Sequence, residues 1–353
     1  MATKPLRIGV AGLGRIGWSF HCKTLAAHPD FELVAVQDIE PERRQEAERT
    51  YGVTAYAEFA DLLRHADLDV VTIATPTHLH HDMALDALSA GHHIVIEKPM
   101  AQEVSEAEAI ASEARRRGRL VTVYQPHRVM AYFQHLTRIL QAGTIGEVYH
   151  VRRALFNFAR RNDWQSLQRY GGGMLNNYGA HCIDQVLQLI GYDIRRIFCN
   201  LRLVASLGDA DDVVKILIET HKGVLGEIDI NQASAIRPYE LQVWGAHGAV
   251  TLERNTFTVR YFDPAELPEK ALDPGLASAN RAYPSDNVPF REESFPVDPS
   301  LAVDFYGNLA SAIREGTPLL VPPEETLAVM RTIERCREDA GRILETRIAS
   351  ERP

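Results

Sequence analysis

The chain has 353 residues, 45% of them apolar, enough for two domains of roughly 100–200 residues each with sizeable cores. A net charge of −9 argues against a nucleic-acid surface, and no apolar run approaches the roughly 18 residues of a membrane helix. Four scattered cysteines, Cys22, Cys182, Cys199 and Cys336, form no Cys-x-x-Cys pair, which argues against a disulfide framework or a zinc cluster.

The first third alternates strand and helix patterns. Residues 6–11 are a short, mostly apolar run leading into Gly12, so no secretory leader is expected and a cytoplasmic location follows by elimination. Residues 15–28 have helical spacing, 32–38 read as a strand and 42–51 as a helix. A strand over 70–74, a helix over 79–90 and strands over 93–96 and 120–124 follow. Between the last two, a helix over 105–118 opens on Ser105-x-x-Glu108, a capping-box pattern. Such alternation predicts a doubly wound parallel sheet, an α/β domain over 1–125.

Beyond residue 125 the pattern becomes α+β, and residues 126–353 are expected to form a mostly antiparallel sheet domain. Helices are predicted over 132–142 and 179–190. Strands are predicted over 147–158, 194–203, 213–219, 224–229, 239–244, 249–252 and 257–261, with tight turns at Lys222-Gly223 and His247-Gly248. Residues 263–297 read as a long loop. Helices over 301–315 and 323–345 close the chain, the last packing back on the first domain.

Gly12, Leu13, Gly14, Arg15, Ile16 and Gly17 form Gly-x-Gly-x-x-Gly after one strand and at the start of a helix. The next strand ends in Asp38, about 20 residues further on, which completes the context of a dinucleotide fingerprint. Gly12 suits the tight turn, Gly14 a close approach of pyrophosphate and Gly17 helix–strand packing, while the helix N-terminus offers free N–H groups. Asp38 is expected to accept from the adenosine ribose hydroxyls and to repel a 2′-phosphate, favouring NAD over NADP. Arg43 and Arg44 nearby weaken that preference.

Three further segments fall in a recognisable order: Ala74-Thr75-Pro76-Thr77-His78-Leu79-His80, then Glu97-Lys98-Pro99, then Gly171-Gly172-Gly173 running on to Asn177-Tyr178-Gly179-Ala180-His181-Cys182-Ile183-Asp184. With the fingerprint, this set resembles the Gfo/Idh/MocA oxidoreductases over nearly the whole chain. The resemblance implies an NAD-dependent dehydrogenase acting on a carbinol carbon of a sugar, polyol, cyclitol or glycoside. It implies that the second domain is an open sheet burying one face in a homodimer or homotetramer. It places Lys98 and His181 at the reacting hydroxyl, and Thr75, Pro76, His80, Glu97 and Arg128 on the cofactor side. Asn177 stands where the family often has aspartate; without that carboxylate, Lys98 is expected to carry a lowered pKa and to share base duty with His181.

The residue chemistry agrees with these roles. Lys98 follows a strand end, where a cofactor lies in an open α/β sheet, and an ammonium there stabilises a developing alkoxide. Imidazole exchanges a proton near neutral pH. Arg160, Asp163 and Trp164 have the chemistry of a sugar-binding loop, and Tyr178 and Asp184 are further substrate candidates, although an ordinary polar loop and a helix-face carboxylate account for them equally. His78, His80 and His81 lack metal-ligand spacing, and no metal is expected. Two other functions stay open: a redox-neutral NAD-using enzyme that cleaves or eliminates, and a catalytically silent sensor of sugar and NAD.

Overall fold

Two sheets organise the molecule, each with its own buried apolar cluster. The structure, a computed structural model, describes residues 4–272, 274 and 286–346. Strands β1 (Leu6–Ala11), β2 (Phe31–Gln37), β3 (Thr54–Tyr56), β4 (Val70–Ile73), β5 (His93–Glu97) and β6 (Val121–Tyr124) are all parallel, in the order β3-β2-β1-β4-β5-β6. Strand order reverses between β1 and β4, which leaves a crevice at their carboxyl ends. Every residue of β4 and β6 is buried, as in strands covered on both faces, and this explains why they are apolar apart from Thr72 and Thr122. Helices α1 (Lys23–Leu25), α2 (Pro41–Tyr51), α3 (Phe59–Leu63), α4 (His80–Ser89) and α5 (Val104–Arg117) connect the strands.

Three local features differ from the expectations. The helix expected over 15–28 contains a wide π segment, Gly17–Cys22, before α1. The cap of α5 lies at Glu103, not Ser105: the Glu106 carboxylate accepts from the backbone N–H groups of Gln102 (3.0 Å) and Glu103 (3.1 Å). Strand β3 and helix α3 fall in a stretch that the sequence reading passed over, because three and five residues are too few to show a period.

Helices α6 (Pro126–Val129) and α7 (Ala131–Gln141) lead into the second sheet. It contains β7 (Val148–Phe156), β8 (Ile194–Leu203), β9 (Val213–Thr220), β10 (Leu225–Asn231), β11 (Leu241–Gly245), β12 (Gly248–Glu253), β13 (Thr256–Tyr261), β14 (Arg291–Pro296) and β15 (Ile343–Glu345). Their order is β14-β13-β12-β11-β7-β10-β9-β8-β15, antiparallel except for the β7–β10 and β8–β15 pairs. Strand β14 lies in the stretch expected to be loop, whose central part falls outside the described residues. Strand β15 replaces the end of the last expected helix, because Gly341 (φ +64°) terminates that helix and turns the chain alongside β8.

One face of this sheet is apolar. Val151, Val214, Ile216, Ile218, Ile228 and Ile230 cluster with Ile183, Val186 and Leu187 of α8 (Ala180–Ile190). Alternate residues on the opposite face leave Phe198, Leu217 and Leu225 exposed. The last two helices are α9 (Phe305–Glu315) and α10 (Pro323–Ala340). Phe305, Tyr306 and Leu309 of α9 belong to the core of the first sheet. Helix α10 places Leu327 and Met330 in that core and Val329, Ile333 and Cys336 in the second. Among the described residues no helix is long and apolar enough to cross a membrane.

Candidate active site

The turn after β1 is held by contacts that only glycine permits. Gly12 has φ +87°, and a Cβ on Gly17 would lie 1.8 Å from the Gly12 carbonyl oxygen, so the helix seats directly on the turn. A Cβ on Gly14 would meet no protein atom within 4 Å, which leaves that flank of the backbone open. Arg15 and Ile16 stand exposed on the same turn. Asp38 is buried beneath it: Leu13 N–H donates to its Oδ2 (2.7 Å) and Glu40 N–H to its Oδ1 (2.9 Å). Arg43 Nη1 reaches Oδ2 at 3.3 Å, while Arg44 donates to the carbonyls of Asp38 and Ile39. A glycine turn open on one side, followed by helical N–H groups and a carboxylate at the next strand end, fits a dinucleotide.

Lys98 follows β5 at the same edge and reaches across to the second sheet's helical layer. Its Nζ donates to the side-chain Oδ1 of Asn177 (2.7 Å) and to that residue's carbonyl (3.0 Å). Burial pushes the lysine down to about 8; the neighbouring Glu97 opposes this, and Arg161 and Arg15 reinforce it. The expected direction of the shift therefore holds, but its main cause is burial, and Glu97 supplies a carboxylate neighbour from within the motif itself. Asn177 lies on a short π turn, Leu175–Gly179, that feeds α8, and His181 follows on the first turn of that helix.

His181 is 6% exposed, and its Nδ1–H donates to Oε1 of Gln125 at 2.8 Å. This bond selects the tautomer in which Nε2 carries the lone pair. Burial, then the positive charges of Lys98 and Arg153 and the adjacent His127 ring, hold the imidazole well below its usual range, so it is neutral at pH 7. The His127 ring lies 4.5 Å from that of His181, edge to face, and burial lowers its pKa to about 4. Tyr132 donates to His127 Nδ1 (2.8 Å) and accepts from Gln185 (2.7 Å).

The protein itself occupies several expected ligand groups. Arg128 and Asp184 form a buried bidentate pair, Nε–Oδ2 and Nη2–Oδ1 both 2.6 Å, and Arg128 Nη1 donates to the Leu320 carbonyl and to Glu325. Every nitrogen of that guanidinium and both oxygens of Asp184 are engaged, so neither is read further as a cofactor or substrate ligand. The buried His80 ring sits 2.9 Å from the carbonyls of both Thr75 and Pro99 and links the two cofactor-side turns rather than facing outward. Glu97 is likewise consumed internally, by His21 (2.9 Å) and by the Lys98 N–H (3.2 Å). Thr75 Oγ1 donates to the Met83 sulfur, and Pro76 precedes the single turn Thr77–Leu79.

Residues 6–125 match the Gfo/Idh/MocA model described as an oxidoreductase family with an NAD-binding Rossmann fold, and residues 133–251 match the Gfo/Idh/MocA C-terminal domain. The chain belongs to the Gfo/Idh/MocA oxidoreductase family. It is 24% identical over 350 residues to the scyllo-inositol 2-dehydrogenase (NADP(+)) IolW of Bacillus subtilis, covering 95% of this chain and 94% of that one. It is 28% identical to the D-glucoside 3-dehydrogenase of Escherichia coli over 54% of this chain and 56% of the relative. An uncharacterised oxidoreductase of Schizosaccharomyces pombe, 29% identical, is likewise spanned over only 52% of its length. An NAD-binding protein from Listeria innocua superposes with a TM-score of 0.81 at 25% identity, covering 96% and 95% of the two chains.

The loop between β7 and the glycine turn carries the residues expected at a sugar. Arg160, Asp163 and Trp164 are all exposed there, and Arg161 holds Asp163 with paired bonds of 2.7 and 3.0 Å. The loop meets the Lys98–Asn177 pair elsewhere: Asn177 Nδ2 donates to Gln165 Oε1 at 3.4 Å, and Arg161 lies close enough to lower the lysine's proton affinity. Tyr178 is half-buried, with its ring 6.1 Å from that of His181. The sequence reading did not single out Gln125, Arg161, Gln165 or His127 as site residues. Gln125 and His127 flank Pro126, just before Arg128, yet polar residues after a strand carry no sign of which distant partner they will meet.

Proposed function

We propose that the protein interconverts a carbinol and a carbonyl on a sugar-, cyclitol-, polyol- or glycoside-like substrate, with NAD as redox partner. The observation that carries this reading is the convergence of Lys98 and His181: the lysine grips Asn177, four residues before the histidine, from the opposite sheet. Along the glycine turn, Gly12, Leu13, Gly14, Arg15, Ile16 and Gly17 would hold the pyrophosphate and Asp38 the ribose. NAD bound there supplies a two-electron acceptor or donor.

The chain's own part is proton and charge management. In oxidation, the substrate hydroxyl gives its proton to Nε2 of His181, whose tautomer Gln125 sets. The Lys98 ammonium, steadied by Asn177, stabilises the alkoxide that develops. In reduction, a protonated His181 returns its proton readily, because burial and the nearby charges of Lys98 and Arg153 disfavour the charged ring. Tyr178, Arg160, Arg161 and Trp164 line the approach and select the substrate. NAD would be preferred over NADP because the Asp38 carboxylate at the end of β2 would repel a 2′-phosphate, although Arg43 lies 3.3 Å from that carboxylate.

The test is an absorbance screen at the NADH band with sugars, cyclitols and glycosides, each with NAD and NADP. One NADH per substrate consumed supports a dehydrogenase, whereas product without NADH would replace it with a redox-neutral cycle. With a substrate in hand, His181→Ala is expected to lower kcat by roughly 100-fold or more while leaving NAD affinity intact. Undiminished kcat would remove His181 from the mechanism.

A further inference from the structure

Beneath Lys98 runs a buried hydrogen-bond chain that the proposed reaction does not use. Glu97 Oε1 accepts from His21 Nε2–H at 2.9 Å, and the other oxygen accepts the Lys98 backbone N–H at 3.2 Å. His21 belongs to the π segment after the glycine turn and is wholly buried. With Nε2 donating, its Nδ1 accepts, and the donor is the Tyr306 hydroxyl at 2.7 Å. Tyr306 in turn accepts from Thr72 Oγ1 at 3.3 Å. Burial holds the Tyr306 hydroxyl protonated far above the usual phenol range, so it remains a donor. All donors therefore run one way, Thr72 to Tyr306 to His21 to Glu97, and the chain ends on a carboxylate beside the reactive lysine.

We infer that His21 and Tyr306 are positioning residues: through this one-way chain, helix α9 fixes the Glu97 carboxylate against Lys98 and thereby sets how firmly that lysine holds its proton. The inference rests on the proposed role of Lys98 at the reacting hydroxyl. Four elements assemble it, namely the π segment, β4, the end of β5 and α9 from the last sixth of the chain. Glu97 is the group that opposes the downward push of burial on Lys98; Arg15, Arg161, His127 and His181 are the other charged or titratable groups that lie close to it. Around Glu97 itself stand His21, Tyr306, Tyr124 and His80. Loss of the His21 anchor frees one carboxylate oxygen to rotate, which weakens the attraction that keeps Lys98 protonated.

The test reads the lysine directly. The full chain is labelled with trace acetic anhydride between pH 6 and 11, and acetylation of the Lys98 peptide is quantified by mass spectrometry in wild type, Tyr306→Phe, His21→Leu and Glu97→Gln. Tyr306→Phe removes only one hydroxyl, and circular dichroism establishes that each variant is folded. The midpoint for Lys98 is expected to fall by at least about half a unit in each, roughly a 3-fold gain in reactive amine below the midpoint. Adding Tyr306→Phe to Glu97→Gln is expected to change nothing further. An unmoved midpoint in folded Tyr306→Phe, or a further full shift in the double variant, overturns the inference. Because labelling needs no substrate, absence of turnover in the screen would defeat the dehydrogenase reading while leaving this result standing.

Discussion

At the level of single residues, the contact between Lys98 and Asn177 offers a pH test of the proposed site. Lys98 sits at about 8, so it is an ammonium at neutral pH and loses its proton as the pH rises through that value. If the ammonium stabilises the alkoxide, kcat/KM falls on the basic side with the lysine's ionisation. Asn177→Asp puts a carboxylate within hydrogen-bond distance of Nζ, favours the ammonium and moves the falling limb upward by about one pH unit. Superimposable basic limbs in the two proteins would remove Lys98 from the proton chemistry. Lys98, Asn177 and His181 could be chosen as candidates because each lies in a short motif whose spacing survives without a fold, and the structure brings them together. The pairing of Arg128 with Asp184 was not legible: Arg128 was expected on the cofactor side and Asp184 either at substrate or in a structural role, and nothing in either segment reveals that the two meet across 56 positions.

At the level of elements, the segments that build the crevice depart from the regular helix. Both the helix after the glycine turn and the one that carries His181 begin with wide π turns, Gly17–Cys22 and Leu175–Gly179. Such turns gather at functional sites because an extra residue per turn re-aims side chains. Hydrophobic periodicity did not reveal them, since one inserted residue blurs the pattern rather than breaking it. The glycine turn tolerates no side chain at its base: a methyl on Gly17 must displace the Gly12 carbonyl that a Cβ would approach to 1.8 Å. Gly17→Ala is therefore expected to weaken NAD binding about 10-fold or more, read by quenching of intrinsic fluorescence, because the displaced turn is the phosphate cradle. Unchanged affinity would mean that the cradle lies elsewhere. The short strands β3 and β15 escaped the sequence reading for a different reason: three residues gain strand character only from the neighbour they pair with.

Across the whole molecule, ion pairs and faces decide how the parts hold together. The Arg128–Asp184 pair links α6 to α8, and Arg128 also reaches Glu325 on α10. Arg128→Met leaves a buried carboxylate uncompensated and is expected to cost about 3–5 kcal/mol in urea denaturation; a loss below about 1 kcal/mol would show the pair to be replaceable. Phe198, Leu217 and Leu225 share one face of the second sheet with the Arg152–Glu227–Lys215 cluster, and we propose that a second copy covers it. Leu217→Glu should then halve the mass measured by light scattering, whereas a wild-type monomer would leave the face without that explanation. The two sheets were readable from the change of pattern along the sequence, and the last helix was expected to pack back on the first domain, but nothing in the sequence pointed to α9 filling the first core. Because α9 fills the first core with Phe305, Tyr306 and Leu309 while α10 serves both cores, the nucleotide-binding half is no transplantable cassette. Cut away after residue 125, it would present empty sockets to water and clump, and any natural recombination that borrows it must also borrow the tail.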